Sequence, residues 1–213
     1  LLRQCTSFQF HDTSDTAAIK LSWDVTDGRR LRSNGGNLAA VLLHLRENHV
    51  KRYDLIERHI ARVLPGFGGF GLEPSYGKVL LQWRSRQGGK TFGAHLTSDG
   101  SLRLFCLMTL LSLPGEMLPD VILIDEPELG LHPAAITLVA EMVAGVARSR
   151  QVILSTQSPY LVDCFALESI VVADTEAGAT RLQRLDAQAY IEWLQDDYSV
   201  SDLWLQNVIG GRP

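Results

Sequence analysis

Asp125 and Glu126 are the residues of this chain best placed to do chemistry. They follow Val121-Ile122-Leu123-Ile124, an aliphatic run that reads as a strand buried on both faces of a parallel sheet. Ligands of open α/β sheets bind at the carboxyl edge of the strands, so the two carboxylates emerge where a ligand would sit. The first carboxylate of such a pair suits Mg2+, and the second can orient or deprotonate an attacking water. The plainer alternative is a strand that ends in acidic turn residues, with Pro127 stopping it. Two further stretches are drawn to the same chemistry. Gln151-Val152-Ile153-Leu154-Ser155 reads as a second short buried strand and runs into Thr156-Gln157-Ser158-Pro159. Ser98 and Gly100 stand at the N-terminus of a helix, where unpaired N–H groups and the positive dipole end favour an anion. Alone, that feature is a helix cap.

These residues need elements to hold them. Residues 102–111 are apolar nearly all round, which predicts a central buried helix. Pro133 fits the first position of another helix, with Ile136, Val139, Met142, Val143 and Val146 as its inward stripe. Strand, helix and strand from 121 to 155 then form a βαβ unit, and a third unit follows with strands at 169–173 and 180–185. Residues 199–213 read as a tail. Upstream, Phe8 and Phe10 alternate before His11-Asp12-Thr13-Ser14, an extended segment and a turn with a capping Asp. His11 and Asp12 are not a catalytic pair, because neighbours on a strand point to opposite faces. Asn37 is an N-cap for a helix with Leu38, Val41, Leu42 and Leu45 inward. A second helix follows, with Tyr53, Ile56, Ile60 and Val63 inward and Lys51, Arg52, Glu57 and Arg58 outward. Residues 78–84 and 91–94 predict a hairpin. Gly89-Lys90-Thr91 imitates the end of a phosphate-binding loop, but Arg84 stands where its first glycine belongs and no helix follows. The division drawn is 1–95, an extended segment, helical subdomain and hairpin, and 96–213, the lobe that carries the edge motifs.

The 213 residues suffice for one α/β domain with a small appendage, and 46% apolar composition is ordinary for a real core. A formal charge of −4 provides no global attraction to nucleic acid or anionic membrane. Cys5, Cys106 and Cys164 lack metal-ligand spacing and read as reduced thiols of a cytoplasmic protein. No signal peptide or membrane-spanning run is visible. The chain begins at Leu1, inside sequence that reads as structured, as a part of a longer protein would.

In order and spacing, Ser98-Asp99-Gly100, Asp125-Glu126-Pro127, Gly130-Leu131-His132-Pro133 and Ser155-Thr156-Gln157-Ser158-Pro159 resemble one assembly. It is the C-terminal half of the nucleotide-binding domain of ABC-type ATPases. More closely, the chain looks like the AAA family ATPases grouped with RecF, SMC and OLD proteins, and the terminal Gly210-Gly211-Arg212-Pro213 is also similar to that branch. The resemblance implies an α/β fold, the C-terminal lobe of a P-loop NTPase with parallel strands and flanking helices. It implies ATP and Mg2+, and a homodimer with ATP sandwiched between protomers through the signature and D-loop. Ser98, Asp99 and Gly100 would be the signature motif, Asp125 the Walker B ligand of Mg2+, Glu126 the base and Gln157 the switch residue. Residues 128–132, His132 included, would be the D-loop. DNA or a nuclease would be the coupled partner, without membrane insertion.

Three departures matter. Asp99 stands where transporters carry glycine and puts negative charge near a phosphate; Gln157 replaces a histidine and cannot carry a proton; and no P-loop is present, so this chain alone is expected to bind ATP poorly. Two other readings stay open: a metal-dependent nuclease built on Asp125, Glu126 and Asp99, and a non-catalytic interaction module of the same fold.

Overall fold

The computed structural model describes residues 4–176, 178–196 and 198–211; Arg212 and Pro213 of the terminal motif lie outside them. In chain order the elements are β1 (Cys5–Phe8), β2 (Trp23–Asp24), α1 (Leu38–Asn48), α2 (Val50–Val63), β3 (Phe67–Phe70), β4 (Lys78–Val79), β5 (Gln82–Ser85), β6 (Thr91–Gly93) and α3 (Asp99–Ser112). Then come β7 (Val121–Asp125), α4 (Pro133–Val146), β8 (Gln151–Ser155), α5 (Pro159–Val162), β9 (Val171–Glu176), β10 (Ala179–Arg184), α6 (Ile191–Gln195) and α7 (Val200–Leu205). They fall into two compact units that divide between Ser155 and Thr156, whereas the sequence reading divided the chain after residue 95. The reason is α3: it is buried against α1, α2 and α4, and Phe105 on it meets Phe67 and Phe70 of β3 at 5.6 and 5.2 Å between ring centres. No sequence boundary can be drawn through a shared core.

The first unit is organised by a parallel sheet in the order β1-β7-β8. Its register pairs Val121 with Cys5 on one side and Gln151 on the other, and Ile124 with Phe8 and Leu154. The central strand is buried at Val121, Ile122 and Ile124, as its aliphatic run predicts. β8 departs from expectation. It alternates exposed and half-buried residues, and Ile153 is 46% exposed, so it is not the fully buried strand that its composition suggests. The link from β7 to β8 is α4, which starts at Pro133 in the first turn and buries Ile136, Val139 and Val143. The βαβ unit therefore forms as read.

Two local corrections concern side chains. Asn37 occupies the N-cap position of α1 but makes no capping bond. Its amide is fully buried instead: Oδ1 accepts from the Arg32 N–H at 2.9 Å, while Nδ2 donates to the Asp27 and Arg30 carbonyls at 2.6 and 2.8 Å. Glu57 turns inward from α2, accepting from the Tyr53 hydroxyl at 2.7 Å and from the Phe70 N–H at 2.8 Å. A carboxylate beside the backbone amide at the end of β3 is better used there than in water. Beyond β3, strands β5 and β6 form the expected hairpin, with Trp83 opposite Phe92 and their rings stacked at 4.9 Å. Gly88, Gly89 and Lys90 lie in its turn region, so the phosphate-loop imitation is hairpin chemistry.

The second unit has its own small core of Val162, Leu167, Leu185, Val200, Leu203 and Ile209. In place of a third strand–helix–strand unit, β9 pairs antiparallel with β10 from Val171↔Arg184 to Glu176↔Ala179. The supposed tail is structured. α7 opens on a capping box of Ser199 and Asp202, and Asp163 accepts from the Ser201 N–H and hydroxyl at 2.8 and 2.6 Å. Among the described residues, no helix is long and apolar enough to cross a membrane.

Candidate active site

Asp125 is the last residue of β7, and three neighbours hold it. The Ser155 hydroxyl on the adjacent strand donates to Oδ1 at 2.5 Å, because the parallel register sets Asp125 opposite Ser155. The Gln9 amide, one residue past β1, donates to Oδ2 at 3.1 Å. His11 Nε2 donates to the Asp125 backbone carbonyl at 3.0 Å. The Ser155 bond chiefly holds the Asp125 carboxyl below its usual pKa, with help from Gln9 and the His11 charge and against a smaller burial penalty. The result is a fixed, half-buried anion at the carboxyl edge of the sheet.

Glu126 follows in an unusual backbone state. Its φ is +41°, a left-handed conformation that costs a non-glycine residue about 1 kcal/mol or more. Its N–H donates to the Ser155 carbonyl at 2.9 Å, and its carbonyl accepts from the Leu129 N–H at 3.1 Å. The ladder thus continues one residue beyond β7 and then turns sharply, while Pro127 is buried. Strain held by flanking hydrogen bonds is a common mark of a working position.

The loop that follows is tied to the start of α3. Gly130, at φ +74°, places its carbonyl oxygen against Gly100, where any Cβ would overlap it. Arg103, one turn further along α3, donates to the Phe10 carbonyl at 3.4 Å, the His11 carbonyl at 3.1 Å and the Leu129 carbonyl at 3.3 Å. One guanidinium therefore joins the segment that contacts Asp125, the loop after Glu126 and the helix of Ser98.

Ser98 is the N-cap of α3, its hydroxyl accepting from the Ser101 N–H at 3.3 Å. Ser98 and Asp99 are exposed, and the first-turn amides of Asp99 and Gly100 have no intrahelical acceptor by helix geometry. His132 caps α4, its Nδ1 accepting from the Ala134 N–H at 3.2 Å. Gln157 lies two residues past β8 in the second unit. Within the first unit, then, the loop between Glu126 and His132 packs on Gly100 through Gly130, and Arg103 ties that loop to the segment that contacts Asp125. Among the described residues, no three His, Cys, Asp or Glu side chains are grouped to hold a metal.

A family model described as "AAA domain, putative AbiEii toxin, Type IV TA system" matches residues 9–163. The chain belongs to this AAA domain family. A search of curated proteins returns no match. Among solved structures, this AAA domain is similar to an SMC ATPase studied for ATP-driven dimerization and DNA-stimulated activation, at 16% identity and TM-score 0.50, covering 71% of this chain and 96% of that one. It is similar to the Smc head domain with a coiled coil and joint from Pyrococcus yayanosii, at 17% identity and TM-score 0.55, covering 78% of this chain and 32% of that one. A third, from Pyrococcus furiosus, is the Smc head with an extended coiled coil bound to the C-terminal domain of ScpA, at 15% and 0.52, covering 78% and 44%. The AAA domain thus has the α/β fold of a P-loop ATPase head, and it spans under half the length of two of these three chains.

Sequence reading missed Gln9, His11 and Arg103. Gln9 sits past a strand whose partner lies 116 residues away, so nothing local pointed to Asp125. The argument against a His11–Asp12 pair holds, since Asp12 accepts from the Ser14 N–H and hydroxyl in a turn; the partner of His11 is Asp125.

Proposed function

We propose that this AAA domain supplies the hydrolytic edge of an ATPase in which ATP is sandwiched between two protomers. The observation that carries this reading is the Asp125–Glu126 corner: a fixed anion followed by a carboxylate on a strained, hydrogen-bonded turn. The Asp125 carboxylate and the Ser155 hydroxyl are hard oxygen donors of the kind that would hold Mg2+, with the Gln9 amide N–H orienting the carboxylate. When bound, Mg2+ neutralises charge on the phosphate oxygens. Asp125 stays ionised for this role because Ser155 and Gln9 donate to it. Glu126 orients and deprotonates the attacking water from the left-handed turn, φ +41°, just beyond the strand ladder. The Ser98–Gly100 amides present a helix N-terminus to the γ-phosphate of nucleotide held by a second protomer. His132 sits in the loop that crosses to that protomer, and Gln157 senses the γ-phosphate by hydrogen bonding.

ATP hydrolysis and oligomeric state of the gene product that carries this chain test the reading, wild type against Glu126→Gln. The substitution removes the base but keeps the shape, so turnover should fall at least a hundredfold while an ATP-bound dimer accumulates. Two monomeric, inert proteins would end the catalytic reading and favour the interaction module.

A further inference from the structure

The charge of this chain is segregated along it. Residues 46–90 carry nine Lys and Arg against four Asp and Glu, a net +5, and the remainder carries 11 against 20, a net −9. The structure concentrates the positive part further. Glu57, one of the four acids, is turned inward onto Tyr53 and the Phe70 amide. On the opposite side of α2, Lys51, Arg58 and Arg62 share one exposed ridge, because positions 51, 58 and 62 fall within about 40° of each other around a 3.6-residue helix. They lie about 10 and 6 Å apart along the axis. The ridge does not stop at the helix end. The Arg86 N–H donates to the Gly66 carbonyl at 2.8 Å, and this brings the β5–β6 hairpin tip, with Arg86 and Lys90 exposed, against the turn that ends α2. Arg62 shares its charge with Glu141 at 3.5 Å in an exposed pair, and Asp54 is the other acid on this side. Neither offsets five cations.

We propose that α2 and the β5–β6 hairpin tip form a binding surface for the sugar-phosphate backbone of duplex nucleic acid. The chemistry of the surface selects among polyanions. A ridge of long cations spaced about 6–10 Å apart along a rigid helix matches a rigid row of phosphates. Val50 at the start of α2 is exposed, but between Lys51 and Val63, and along the hairpin from Gln82 to Gly93, no large apolar side chain is among the exposed ones; the hairpin aromatics Trp83 and Phe92 stack on each other. Single strands are held by bases stacked on exposed aromatics, and protein partners by an apolar or aromatic centre. This surface has neither. It contacts phosphates without reading bases, so binding is independent of sequence.

The test is fluorescence anisotropy of a labelled 30-base-pair DNA duplex titrated with this chain at several salt concentrations, without nucleotide. Arg58→Gln, Arg86→Gln and Lys90→Gln are compared singly and together with Arg181→Gln, an exposed arginine of the second unit. The expected result is a salt slope that falls by about 0.9 for each ridge cation removed, with affinity down at least tenfold in the triple variant and unchanged in Arg181→Gln. Equal slopes in parent and triple variant would overturn the surface. Tighter binding of single-stranded DNA, or competition by polyglutamate as effective as by duplex, would overturn its assignment to duplex nucleic acid. Because nucleotide is absent, the outcome is separate from that of Glu126→Gln in the hydrolysis assay.

Discussion

At the scale of single residues, the corner at Asp125 and Glu126 combines an ordinary sequence signal with a conformation that sequence does not announce. Glu126 adopts φ +41° while its N–H and carbonyl are both engaged. A left-handed L-residue costs about 1–2 kcal/mol, and glycine removes that cost but adds about 0.5–1 kcal/mol of unfolded-state entropy. Glu126→Gly should therefore be more stable than Glu126→Ala by up to about 1 kcal/mol, while both lack the carboxylate and are equally inactive. Urea midpoints at constant m-value read this directly. Equal midpoints would mean the loop relaxes once the carboxylate is gone. Asp125 was legible because its type, its place after four aliphatics and its neighbour Glu126 are all local. Gln9, His11 and Arg103 were not, because each acts across more than twenty residues on a backbone or carboxylate oxygen.

At the scale of elements, Asn37 carries more than its cap position requires. Its buried amide serves three backbone groups of the 27–32 loop, which leads into α1. Asn37→Ala leaves one N–H and two carbonyls without that partner and should cost about 3 kcal/mol, read as a lower urea midpoint. Asn37→Asp keeps the acceptor for Arg32 but loses both donors, so most of the loss should persist. A cost under 1 kcal/mol for alanine would mean that water replaces the amide. The sequence signal at this position, Asn before an apolar helical stripe, correctly located the helix start and misassigned the side chain. A cap and a loop anchor demand the same residue type, and only the neighbouring backbone decides between them.

For the whole molecule, titration links the site to stability. Asp12, Asp24 and Asp202 are held below the usual carboxylate range by hydrogen bonds from Ser14, Thr26 and Ser199, and Asp125 by Ser155. His44 and His59 are lowered first by burial and then by nearby positive charge, His49 and Arg29 for one and Arg62 and Arg58 for the other. Each depressed value means that the unfolded chain binds protons more readily. Histidine-linked stability is then complete above about pH 6.5 and lost as pH falls through the lowered values; carboxylate-linked stability is complete above about pH 4 and lost below it. Melting temperature should thus be flat from about pH 7 to 8 and fall in two steps on acidification. His59→Gln should remove part of the upper step, and a melt that rises between pH 7 and 6 would contradict the scheme.

What the sequence determined by itself was whatever depends on short-range pattern. The strand at 121–125, the helix opened by Pro133, the hairpin around Gly88-Gly89 and the capped helix at Ser98 each have a local physical cause, and each is present. What only the tertiary structure decided was which of these share a core and which polar groups meet. α3 binds the two halves of the first unit because Phe105 faces Phe67 and Phe70. β8 is half exposed because strand composition does not say how many neighbours a strand has, and residues 199–211 fold because Leu203 and Ile209 find Val162 and Leu185. Contacts between residues distant in sequence are set by chain closure and burial together, and neither is written in the spacing of residue types.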